Sequence, residues 1–223
     1  MSDGLIRVWS IVALCATACL CPGCNILGPA SYIVSGPPSV DAQYTLDDVP
    51  TVIYIDDRAN QVNPVSLRRV IADTASTDLM VKKMLTTTIS PQDAMNIAAR
   101  NDRNKEIMSI EEIGTSVGAK QVIYVEMVQF ADTPDGYIPR PVAICRVRVI
   151  DVENRKRLFP GPDEHDNARQ VQVPTHEVDP DLYRTRSGRL QVSQDLALDT
   201  GHEIGKLFYK HERKELGSNL NPR

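Results

Sequence analysis

Aromatic side chains are scarce in this sequence: Phe, Tyr and Trp make up 5% of 223 residues, with a single Trp. A core must then be built from Val, Ile, Leu, Met and Ala, the palette of sheet-plus-helix domains, and the aromatic platforms on which nucleic-acid modules seat bases are in short supply. A basic surplus is also lacking. The formal net charge is -4 and no polybasic segment is present. With nothing to drive counterion release from a phosphate backbone, no nucleic-acid partner is expected. Gly-x-Ser-x-Gly, His-Glu-x-x-His and phosphate-loop motifs are missing. So is any apolar run long enough to span a bilayer. Hydrophobic residues at 42% and charged residues at 24% sit near globular averages, and the length suits one folded domain plus its ends.

What is present begins with cysteine. Four of the five, Cys15, Cys19, Cys21 and Cys24, lie close together near the N-terminus, and Cys145 stands apart. No disulfide framework follows, because a chain cut at Cys24 would keep two cysteines, one of them blocked by lipid. Met1 to Arg7 carries one basic side chain, Val8 to Cys21 is uncharged and mostly apolar, and Pro22-Gly23 breaks the run. That order is the layout of an export signal, with an apolar stretch too short to hold a membrane by itself.

The run Leu20-Cys21-Pro22-Gly23-Cys24-Asn25 resembles a lipobox, in which a small residue before Cys permits cleavage and the thiol is acylated. It departs upstream, where Cys21 and Pro22 replace the usual Leu and small residue. Cys24 is the expected lipid attachment site. Ala16-Thr17-Ala18 offers a rival cut after Ala18, or a variant lipobox at Cys19. A zinc or iron-sulfur cluster on Cys15 to Cys24 is disfavoured, because these thiols are embedded in apolar helix-type sequence. The expected layout is a signal peptide over 1–23, an anchor and tether over 24–50, a domain over 51–210 and a tail over 211–223. Punctuation by Gly28, Pro29, Gly36, Pro37 and Pro38 prevents a long helix in the tether.

Within the domain, Thr51 to Ile55 is a continuous β-branched run, as in a strand buried on both faces. Asn63-Pro64 and Ser90-Pro91 read as helix caps with first-turn prolines. Ser109-Ile110-Glu111-Glu112 is a capping box. Gln121 to Phe130 is the strongest strand signal, predicted to place Val122, Tyr124, Val128 and Phe130 on one face and Ile123, Val125 and Met127 on the other. Val142 to Asp151 returns with Ala143, Cys145, Val147 and Val149 on a dry face and Arg146 and Arg148 on the opposite one. Arg157 to Phe159 reads as an edge strand, Gln170 to Val173 alternates well enough for a short strand in an otherwise polar 161–188 stretch, and Leu190 to Lys210 carries an amphipathic helical stripe.

The segment Ile110 to Glu126, followed by a hairpin and Val149 to Lys156, resembles a module of bacterial envelope lipoproteins. It is similar to the curli-secretion-lipoprotein type of domain, to the penicillin-binding-protein-activator lipoproteins and to the N-terminal domain of the Tol-Pal β-propeller protein. Gly118-Ala119 fits their helix-ending pair, whereas Asn154-Arg155 stands where glycine is usual in the turn. The resemblance is structural and carries over no catalytic residue. It implies a periplasmic adaptor, activator or secretion part acting through protein contacts. Both readings give a single α/β (α+β) domain: a mixed sheet of about four to five strands covered by helices, in the order β-α-β-α-α-β-β-β-α.

Candidate sites are few. Asp56-Asp57 ends the first strand, where α/β sheets place ligands, and two carboxylates there could hold a divalent cation; the alternative is a solvated loop pairing with Arg58. His165, Asp166, His176, Glu177 and Asp179 have no helical or hairpin ligand spacing. Glu126, on a strand expected to be central, calls for a cross-strand ion pair with Arg146 or Arg148. Cys145 reads as a small buried hydrophobe. No metal, cofactor or catalytic residue is expected. The sequence therefore points to a membrane-anchored, periplasm-facing, non-catalytic binding or assembly module that meets other envelope proteins. A metal-dependent hydrolase using Asp56, Asp57 and Glu126, and a subunit of an oligomeric secretion or scaffold ring, are the alternatives.

Overall fold

The computed structural model describes residues 38–103, 107–133, 139–173 and 178–213. The predicted signal peptide, Cys19, Cys24, the tether as far as residue 37, residues 134–138 of the expected hairpin, His176, Glu177 and the tail from residue 214 lie outside the described residues. The described residues fall into two units, one holding residues 38–40 with 212–213 and the other residues 41–211. In the first, the Arg213 N–H donates to the Pro38 carbonyl at 2.8 Å. The α/β fold is the second.

Its elements run β1 (Thr51–Asp56), α1 (Ser66–Val81), β2 (Thr88–Ile89), α2 (Pro91–Arg103), α3 (Ile110–Ser116), β3 (Gln121–Ala131), β4 (Val142–Asp151), β5 (Lys156–Phe159), β6 (Arg169–Gln172) and α4 (Arg186–Gly205). Single 3-10 turns, Pro180–Arg184 and Lys206–Phe208, flank α4. The sheet is mixed, six-stranded and ordered β2-β1-β3-β4-β5, with β6 also on β4. β1 runs parallel to β2 and β3, while β4 runs antiparallel to β3, β5 and β6. The short strand expected at Gln170 to Val173, left out of the predicted order, is present. Arg169–Gln172 is that strand: it takes the edge of β4 over Ile144 to Val147, and β5 takes the same edge from Val149 to Asp151.

Helices cover both faces, which is why the β-branched run of β1 is buried throughout. On one face Ile53, Ile55, Ile123, Val125, Cys145, Val147 and Val149 pack against Leu67, Ile71, Ala75 and Leu79 of α1 and Leu196, Ala197 and Ile204 of α4. Each such fully buried aliphatic side chain contributes about 1.5–3 kcal/mol. α4 can approach α1 this closely because of Gly201, where a Cβ would stand 2.6 Å from the Thr74 Cβ and 2.7 Å from the Ile71 carbonyl oxygen. On the other face Val52, Tyr54, Val122, Tyr124, Ile150 and Val152 pack beneath Ala94 and Ala98 of α2 and Ile113 of α3. That cover stops at Tyr124. Beyond it the sheet carries Glu126, Val128, Arg146 and Gln170 with partly or fully exposed side chains.

Local signals explain most element ends. The Ser109 hydroxyl accepts from the Glu112 N–H at 3.2 Å, and the Glu112 carboxylate accepts from the Ser109 N–H at 2.8 Å, so the capping box starts α3. Gly118 then turns the chain at φ 75, a left-handed conformation that suits glycine. α4 is capped by Thr185, whose hydroxyl accepts from the Gly188 N–H at 3.0 Å.

Two expectations are corrected. Asn63-Pro64 does not cap α1: the helix begins at Ser66 behind Val65, which makes no side-chain cap. The Pro64 carbonyl instead accepts from the Leu67 N–H in a tight preceding turn. Phe130 does not share a face with Tyr124. A bulge in β3 between Met127 and Gln129 adds a residue, so the alternation slips by one and Phe130 joins Met127 in the α1/α4 core. Residues 41–50, predicted as the end of the tether, lie on the domain, where Leu46 is buried, Tyr44 packs on Phe159, and the Leu207 carbonyl accepts from the Gln43 N–H at 2.8 Å.

Candidate functional site

The uncovered part of the sheet becomes a site because β5 and β6 occupy the same edge of β4 in succession. β6 pairs as far as Val147 and β5 starts at Val149, so Arg148 stands at the break between them, and residues 160–168 connect the two strands across it. Arg157 secures that connection. Its guanidinium donates to the Asn167 side chain at 2.9 Å, the Asn167 carbonyl at 3.2 Å and the Gly161 carbonyl at 3.2 Å.

Two hollows result. One, of about 440 Å³, is lined by Glu126, Arg146, Arg148 and residues 166–170. The other, of about 500 Å³, is lined by Arg148, Ile150, Arg155, Lys156, Arg157, Pro162 and Asn167. They share Arg148 and Asn167 and read as one groove. Its two ends differ in charge: the second hollow has four cations and no carboxylate in its lining, while Glu126 and Asp166 offset the arginines of the first.

Arg148 is the pivot. Its guanidinium lies over the Tyr124 ring, 4.6 Å from the centroid, where the ring's negative face attracts the cation. Its Nη2 is 3.8 Å from a Glu126 carboxylate oxygen, a charge contact too long for a hydrogen bond. The buried Nε–H has no hydrogen-bond partner among the described residues. Glu126 is the direct register partner of Arg146, yet the closer charge contact is with Arg148. Nor is Glu126 buried as a central-strand position would suggest: its side chain is 41% exposed, because α2 and α3 end short of it. Arg146 is exposed and makes no hydrogen bond or ion pair among the described residues. Arg169 holds Glu164 at 2.7 Å through Nη2 and lies over the Phe159 ring, while its buried Nε–H, like that of Arg148, has no partner among the described residues.

Asp56 and Asp57 fall elsewhere; the expected pairing with Arg58 forms at Asp56, but both residues are buried and not solvated. Asp57 accepts from the backbone N–H groups of Gln61 at 2.7 Å and Val62 at 2.8 Å, and from Arg68 Nε at 2.9 Å. Asp56 accepts from the Tyr124 hydroxyl at 2.6 Å and sits 3.1 Å from Arg58 Nε. A hollow of about 380 Å³ opens there, between α1 and α2 at the carboxyl end of β1, the place where α/β sheets seat ligands. Both of its carboxylates at the strand end, Asp56 and Asp57, are already paired. Burial first, and then the charge of Asp56, push the Tyr54 hydroxyl up to about 12, so it stays protonated at neutral pH. Replacing Tyr124 with Phe keeps the ring beneath Arg148 and deletes the donor to Asp56; the expected loss is about 1.5–3 kcal/mol of stability, read from urea unfolding.

Among the described residues, no three or more His, Cys, Asp or Glu side chains gather as metal ligands. His165 and Asp166 are exposed on the loop between β5 and β6, and Asp179 caps the Pro180–Arg184 turn by accepting from the Asp181 N–H. Burial pushes the Cys145 thiol up to about 12, leaving it without thiolate character at neutral pH. Sequence reasoning found Arg146 and Arg148 by their alternation in β4. It missed Arg157, Asn167 and Arg169, whose convergence depends on the strand change at Arg148. The consecutive Arg155, Lys156 and Arg157 in a predicted turn were the available signal.

No helix among the described residues is long and apolar enough to cross a membrane. No protein-family model matches the chain, and no characterised protein matches it in sequence. Among solved structures the chain is similar to a hypothetical protein of Chlamydia trachomatis, at 18% identity and a TM-score of 0.43 over 71% of this chain and 93% of that one. It is also similar to the PelC dodecamer of Paraburkholderia phytofirmans, at 11% identity and a TM-score of 0.42 over 77% and 95%, and to the lipoprotein GNA1162 of Neisseria meningitidis, at 10% identity and a TM-score of 0.38 over 63% and 94%.

Proposed function

We propose that this chain is a bacterial envelope lipoprotein, cut before Cys24 and acylated there, that faces the periplasm and acts as a non-catalytic binding module whose contact surface is the groove along β4, β5 and the 160–168 connection. The observation that carries the contact surface is Arg148: a guanidinium seated over the Tyr124 ring, 3.8 Å from Glu126, with a buried Nε–H that has no acceptor among the described residues. An unpaired buried donor costs about 1–3 kcal/mol, a cost that a partner's acceptor would remove. The anchor rests on the lipobox-like run ending in Gly23-Cys24 and on an apolar stretch too short to stay in a bilayer unaided.

The hydrolase alternative needs Asp56, Asp57 and Glu126 to converge on one ligand. Asp56 and Glu126 are register partners on neighbouring strands, but both Asp57 oxygens are filled by the loop and Arg68. That arrangement favours binding over hydrolysis.

Two measurements test the proposal. Cys24→Ser is expected to move the protein out of the washed membrane fraction and to abolish the acyl mass; a full-length, uncut protein that still sediments with membranes would refute the anchor. A photo-crosslinking residue at position 146 in cells should capture envelope proteins, whereas crosslinks at position 92, beside the Asp56 hollow, should not. An adduct of twice the chain's own mass would identify a second copy as the partner and favour the ring alternative.

A further inference from the structure

We infer that the groove takes an extended acidic segment of a partner protein, with carboxylates on alternate residues. The inference rests on the groove being the contact surface proposed above, and it adds the chemistry of what docks there.

Spacing is the first argument. Arg146 and Arg148 lie two apart on one face of β4, and Ile150, two further on, is paired in register with Arg157. Alternate residues of a strand stand about 7 Å apart, so Arg146 and Arg148 mark the groove at that interval, and Arg157 adds a third positive charge one strand over, beside Ile150. An extended peptide presents alternate side chains to one side at the same interval. The second argument is supply of donors. Arg146 has no partner among the described residues. The Arg148 guanidinium has only a long contact to Glu126 and makes no hydrogen bond among the described residues, its buried Nε–H included. A planar fork with unfilled N–H groups matches a carboxylate's two oxygens. Arg157 differs: its donors are spent on Asn167 and Gly161, so it is a positioning residue that lends charge and holds the wall.

The third argument separates an acidic peptide from a polyphosphate or other dense polyanion. Glu126 and Asp166 share the lining with Arg146 and Arg148. A ligand with charge on every unit would meet these carboxylates, while one with charge on every second residue sets neutral groups or backbone N–H donors against them. Lining of mixed sign selects for spacing as well as for charge.

The test uses the protein as cells make it, in nonionic detergent, with two labelled octapeptides of equal composition and equal net charge. One alternates Glu and Thr; in its isomer the residues run as Glu-Glu-Thr-Thr repeats. Fluorescence anisotropy should show the alternating peptide binding about tenfold tighter, the worth of roughly one well-placed charge-assisted hydrogen bond. Arg148→Lys, which keeps the charge but loses the fork and Nε–H, should erase that preference while leaving weak binding of both peptides. Equal binding of the two isomers to the native protein overturns the proposal, as does an alternating-peptide preference unchanged in Arg148→Lys. Tighter binding of inorganic polyphosphate than of either peptide overturns it in favour of a phosphate polymer. Lipidation plays no part in these readings, and the Cys24→Ser protein should give the same preference; failure of the anchor and failure of the peptide site therefore show up in different experiments.

Discussion

Asp57→Ala is expected to lower the unfolding free energy by about 3–5 kcal/mol, the usual cost of removing one member of a buried ion pair. The carboxylate is the hub of the loop that joins β1 to α1. One oxygen accepts from the Gln61 N–H; the other accepts from the Val62 N–H and Arg68 Nε. Alanine leaves two backbone donors and a guanidinium without their acceptor, and Val62, itself 1% exposed, loses the bond that seats it in the α1/α4 core. Asn at the same position retains one acceptor and the shape, so its loss should be smaller but well above 1 kcal/mol. Urea unfolding with an unchanged m-value would assign the effect to the folded state. A shift of under 1 kcal/mol for alanine would show that water replaces the carboxylate. Either variant should keep the peptide preference of the groove, because the loop and Arg148 lie in different parts of the sheet.

The same residue illustrates what could be read from the residues in order and what could not. The Thr51 to Ile55 run, the capping box at Ser109 to Glu112 and the alternation in β4 are local patterns, and local patterns fixed the element types, the α/β class and the two faces of β4. Asp57 was read as a loop carboxylate because burial depends on what the loop folds against, which sequence spacing does not report. The position of Phe130 failed for a related reason: a bulge changes the phase of a strand without changing its composition. The groove was half legible. Arg146 and Arg148 declared themselves by facing away from a dry stripe, but the break at Arg148, where β6 gives way to β5, arises from two edge strands sharing one neighbour, and neither strand's own sequence encodes that. Glu126 shows the limit most clearly. Its strand is central, as predicted, yet its side chain is half exposed, because central placement hides a side chain only where a helix lies above it, and α2 and α3 stop one residue pair earlier.

The second large effect is expected at Phe208. The ring is 1% exposed and meets Phe159 edge to face at 6.2 Å, and Phe159 in turn meets Tyr44 at 5.4 Å. In a chain with so few aromatics, this trio joins three distant segments: the end of α4, the edge strand β5 and the stretch that leads into β1. Phe208→Ala should cost about 3–5 kcal/mol through lost burial and the cavity left behind, with part of that due to the ring pairing. Leu in its place restores most of the volume but not the edge-to-face contact, and should recover more than half of the loss. The Leu207 carbonyl holds the Gln43 N–H beside this cluster, so residues 41–46 should loosen before the sheet does. Limited proteolysis under native conditions should cut the alanine variant first within that stretch, while Phe208→Leu stays resistant. A cut appearing first in the 160–168 connection would mean that the strain passes through Phe159 to β5. In that case the groove, whose wall Arg157 holds from the same strand, would lose its peptide preference along with its stability.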